Sequence, residues 1–80
     1  MFREMKKKEK MECIYSICEE LEQEGFYPLQ YCIGLGECIL RNKVSHCGKG
    51  IKKYMEIALD NLLDNGLPLD KYNLYLEKLR

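Results

Sequence analysis

The sequence predicts an all-α fold: a small helical domain of about four helices, spanning residues 1–80 as a single unit. Three observations predict it. Apolar residues recur at spacings of three and four along most of the chain, the period of an amphipathic helix. Glycines follow the last apolar position of two of these stretches, where a left-handed residue closes a helix. No repeat, low-complexity segment or interdomain linker breaks the 80 residues, a length that allows one domain with a small core.

The first helix is expected over about residues 4–24. Met11, Ile14, Ile17, Cys18 and Leu21 form its apolar stripe, and Gly25 stands where it should close. Gly25, Phe26, Tyr27 and Pro28 then read as a corner. Proline disfavours helix at the residue before it and suits the first turn of a new one.

The second helix is expected over about 28–40, with Leu29, Cys32, Ile33, Gly36, Ile39 and Leu40 on one side. Gly34 and Gly36 each weaken it by roughly 1 kcal/mol relative to alanine. They are expected at a close helix contact or at a break. Residues 41–50 read as a loop: polar, glycine-bearing and aperiodic.

The third helix, about 51–65, shows a wide apolar face of Ile51, Met55, Ala58, Leu59, Leu62 and Leu63, closed by Gly66. The fourth, about 71–80, has Tyr72, Tyr75, Leu76 and Leu79 on one face. Asp70 is placed to cap it. Leu69 and Leu74 have hydrophobic-staple spacing around that cap. Helices one and three should supply most of the core. So small a core favours a second copy of the chain as partner, because burial between subunits supplements burial within one.

Charge excludes some functions and leaves others. Thirteen basic and thirteen acidic side chains cancel, so no global field draws the chain to nucleic acid. The halves do not cancel separately. Residues 1–40 carry five basic and eight acidic groups, a net of −3, while 41–80 carry eight and five, a net of +3. Lys6, Lys7, Lys8 and Lys10 begin helix one while Glu19, Glu20, Glu22 and Glu24 end it, against the helix dipole. A solvated face with screened charges accounts for this arrangement; the sharper reading is that the glutamates meet the basic segment 41–53.

Apolar runs fall far short of the ~20 residues that span a bilayer, and no apolar region follows the basic start as in a signal peptide. A cytoplasmic chain without membrane insertion is expected, with its thiols reduced. Five cysteines, an odd number, argue against a closed disulfide framework. Cys13, Cys18, Cys32 and Cys38 lie on or near apolar faces and read as small core hydrophobes.

Catalysis and cofactors find little support. Cys32, Cys38, His46 and Cys47 offer ligand types for zinc, but there is no CxxC pair, and adjacent His46 and Cys47 rarely serve one tetrahedral site. No metal is expected. A cysteine nucleophile needs a base within reach, and the lone His46 adjoins Cys47 only in sequence, where side chains diverge. Gly48, Lys49 and Gly50 precede a helix without Walker A spacing, and Gly34-Leu35-Gly36 lacks a dinucleotide fingerprint's third glycine. No cofactor and no enzymatic activity are expected.

The remaining candidate site is the basic stretch Arg41, Lys43, Lys49, Lys52 and Lys53, five positive charges in thirteen residues with no acid among them. An ordinary solvated loop accounts for such a cluster. The functional reading is a docking patch for an acidic or phosphorylated protein. A nucleic-acid or phosphate-binding module is the alternative, and for DNA it is the weaker one. The loop is too long for a helix-turn-helix, and helix three spends its surface on core contacts.

Lys7-Lys8-Glu9 followed by the corner Gly25-Phe26-Tyr27-Pro28, then Leu29 to Leu35, then Ile51-Lys52-Lys53 opening helix three, resembles the IreB-like regulatory proteins of Gram-positive bacteria. The order and spacing of these pieces cover roughly three-quarters of the chain, each piece being short. The resemblance implies an all-helical homodimer in signalling downstream of a membrane Ser/Thr kinase, phosphorylated on threonine near the N-terminus. This chain departs from the pattern. It has no threonine, Gly36-Glu37-Cys38 only loosely replaces a Gly-Asp-Pro loop signature, and residues 67–80 look like an added helix. Fold and dimer are carried over; the phospho-switch is not.

Overall fold

In the computed structural model, which describes residues 2–41 and 50–80, the described residues wind into four α-helices and no strand. These are α1 (Lys7–Gln23), α2 (Ile33–Arg41), α3 (Gly50–Asp64) and α4 (Leu69–Lys78), with 3-10 turns at Phe2–Glu4 and Pro28–Gln30. The all-α expectation holds. The radius of gyration is 11.5 Å, close to the ~11.6 Å expected of a folded domain this long.

Glycine closes α1 and α3 in the same way. Gly25 (φ +91°) donates its N–H to the Glu22 carbonyl at 3.0 Å, and Phe26 donates to Leu21 at 2.9 Å. Gly66 (φ +110°) and Leu67 repeat this pair toward Leu63 and Leu62. Both are Schellman caps, in which a left-handed residue lets the chain turn back and satisfy the last carbonyls. The Gly25–Pro28 corner follows directly, with Pro28 buried at the head of its 3-10 turn.

The second helix starts later than its sequence suggests. Pro28 starts only a 3-10 turn, and α2 begins at Ile33. The Asn61 side chain donates to the Tyr31 carbonyl at 3.0 Å. In an uninterrupted helix, that carbonyl would accept from residue 35. A tertiary hydrogen bond thus takes the place of a helical one, and the break falls there.

The expected face of α2 is also revised. Cys32, Leu35 and Cys38 are buried and Ile39 packs against the core, whereas Ile33 and Leu40 point outward, 79% and 85% exposed. Gly34 explains the rotation. A Cβ built on it would lie 2.2 Å from Cε1 of Tyr54 on α3, so α2 approaches α3 where it has no side chain. Gly36 makes no such contact; a Cβ there meets nothing within 4 Å among the described residues.

Helix α4 begins two residues before its expected start. Tyr72 donates to the Pro68 carbonyl at 3.0 Å, making Pro68 the cap and leaving Asp70 in the first turn. An acid there still favours the helix dipole. The expected staple shifts with the cap: Leu69 and Leu74 are exposed, and buried Leu67 with partly buried Tyr72 now hold the staple spacing.

One core joins the four helices. The stripes of α1 (Met11, Ile14, Ile17, Cys18, Leu21) and α3 (Ile51, Met55, Ala58, Leu59, Leu62) supply most of it, as expected. Phe2, Tyr75 and Leu79 close its lower end, where the Phe2 N–H donates to the Arg80 carbonyl at 2.8 Å. The last helix is therefore integral to the fold rather than an appendage.

Among the described residues, Glu20 pairs with Lys78 (3.2 Å) and Glu24 with Lys71 (2.9 Å), both on α4; most of the 41–53 segment, the other partner considered, lies outside the described residues. Cys38 is disulfide-bonded, against the reading of all the cysteines as free core thiols, while Cys13, Cys18 and Cys32 are free. Cys47 lies outside the described residues.

Candidate interaction surface

The sequence-predicted basic patch is described only in part. Lys52 and Lys53 stand in the first turn of α3, the former half-buried and the latter exposed. Arg41 is the last residue of α2, and Lys43 and Lys49 lie outside the described residues. Neither Lys52 nor Lys53 enters an ion pair among the described residues. Lysines in a first helical turn face the positive end of the dipole, a local cost that an anionic partner would relieve.

Two shallow grooves flank α1. One, about 440 Å³, is lined among the described residues by Lys7, Lys8, Met11, Glu12 and Tyr15. The Tyr15 hydroxyl, 3.4 Å from the Ile39 carbonyl to which it donates, ties this side of α1 to α2. The other groove, about 320 Å³, runs between α1 and α4 past Glu20, Gln23, Glu24, Lys71, Leu74 and Tyr75. Its charges are matched within the chain by the two Glu–Lys pairs. It is a seam rather than an open site.

Titratable side chains tell the same structural story. Burial pushes the Cys18 thiol up to about 12, with the Glu22 carboxylate adding to the shift. Burial also raises Cys13, opposed by Lys78. A thiol activated for attack has a depressed pKa, and both of these are shifted the other way. The Tyr72 hydroxyl donates to Asp60 Oδ1, which raises its pKa and ties α4 to α3. No group of three or more His, Cys, Asp or Glu among the described residues could hold a metal ion. Of the four candidate zinc ligands, Cys38 is in a disulfide and offers no thiolate, and His46 and Cys47 lie outside the described residues.

The most open apolar feature among the described residues lies on α2, where the sequence pattern predicts an inward face. On α2, Ile33, Gly36, Glu37 and Leu40 follow the i, i+3, i+4, i+7 spacing of a single helix face, and that face points to water. Scattered exposed leucines are ordinary. Two large aliphatics this exposed, two turns apart on a nine-residue helix, are not scattered. A signal for this lay in the sequence. From Ile33 to Leu40 only Glu37 is charged, so α2 is apolar nearly all round and presents two stripes where one can be buried.

Among the described residues, no helix is long and apolar enough to cross a membrane. Compared with protein-family models, curated proteins and solved structures, the chain finds no match.

Proposed function

We propose that this chain is a non-enzymatic regulatory or protein-interaction protein that works as a homodimer. In this reading it resembles the IreB-like signalling regulators of Gram-positive bacteria without their threonine phospho-switch, since the chain has no threonine. One observation carries the reading: an apolar stripe on α2, at Ile33 and Leu40, that the fold leaves open to water. Such a stripe costs solubility and serves association. Raised cysteine pKa values and matched charges in the α1–α4 groove support a binding role over a catalytic one.

The partner class is an acidic or phosphorylated protein, docking at Arg41, Lys43, Lys49, Lys52 and Lys53. Three free cysteines support a cytoplasmic location, and the Cys38 disulfide weighs against it. Sedimentation equilibrium tests the dimer: a reversible, concentration-dependent dimer is expected, and a monomer at all concentrations defeats it. Charge reversal at Arg41, Lys43 and Lys49 should abolish binding of an acidic phosphopeptide. Binding to duplex DNA with a steep salt dependence would instead identify a nucleic-acid module.

A further inference from the structure

We draw no further inference here: the strongest candidate, the outward apolar face of α2 at Ile33 and Leu40, is an unpartnered helix face, and nothing in the structure shows what covers it.

Discussion

The ring of Tyr54 lies where a side chain on Gly34 would have to be, with Cε1 only 2.2 Å from an added Cβ. This pair sets the rotation of α2 about its own axis. With position 34 turned to α3, Leu35 and Cys38 are carried into the core, and Ile33 and Leu40 are carried out.

Gly34→Ala should therefore destabilise the chain by about 1–3 kcal/mol through overpacking, although alanine is the better helix former by about 1 kcal/mol. Urea denaturation measures this. Tyr54→Ala should relieve the clash, so the double variant should lose less than the sum of the two single ones. Strict additivity would mean that the ring does not constrain α2.

The buried side chain nearest the C-terminus gives a second prediction. Leu79, the residue that caps the end of α4, is completely buried. Leu79→Ala should cost about 2–5 kcal/mol. Leu74→Ala on the exposed side of α4 should stay within about 0.5 kcal/mol. Equal effects would mean that α4 does not share the core.

Stability should fall in alkali, with a sign set by several groups at once. Burial raises the Cys18 thiol from an ordinary 9.0 to about 12, so the folded chain holds a proton that the unfolded chain releases first. Cys13 and Tyr75 are raised as well, chiefly by burial, and Lys71 by its hydrogen bond to Glu24. A raised folded-state pKa contributes stability that is fully present below the unfolded value and lost as pH climbs through the folded one. Unfolding free energy should hold up to about pH 9 and decline toward 12. Cys18→Ala should flatten that decline, apart from its own packing loss; an unchanged slope would count against it.

The cysteines can be counted directly. Cys38 is disulfide-bonded and Cys13, Cys18 and Cys32 are free. Thiol titration of the denatured, unreduced chain should find fewer than five thiols, and reduction should restore all five. Five without reduction would return every cysteine to the role of core filler. Measured on protein from its native host, the same count bears on the compartment, because thiols in a reducing cytoplasm stay unpaired.

Much of the architecture is legible without coordinates, and the reasons are local. The α1 stripe of Met11, Ile14, Ile17, Cys18 and Leu21 repeats on the helical period with charged residues opposite, so only one face can be buried. Gly25 and Gly66 end their helices through conformations that side-chain-bearing residues resist. The start of α2 at Ile33 is different in kind. It depends on Asn61, thirty residues away, donating to the Tyr31 carbonyl. The pairing of Glu20 and Glu24 with α4 is likewise a matter of which helix lies alongside.

The candidate surface divides in the same way. Sequence alone determines that α2 is apolar nearly all round, that it holds two glycines, and that no threonine can serve a phospho-switch. It cannot determine which apolar stripe is buried, because periodicity specifies the spacing of a face and not its direction. Packing decides that. Gly34 receives the Tyr54 ring, and that choice turns Ile33 and Leu40 outward.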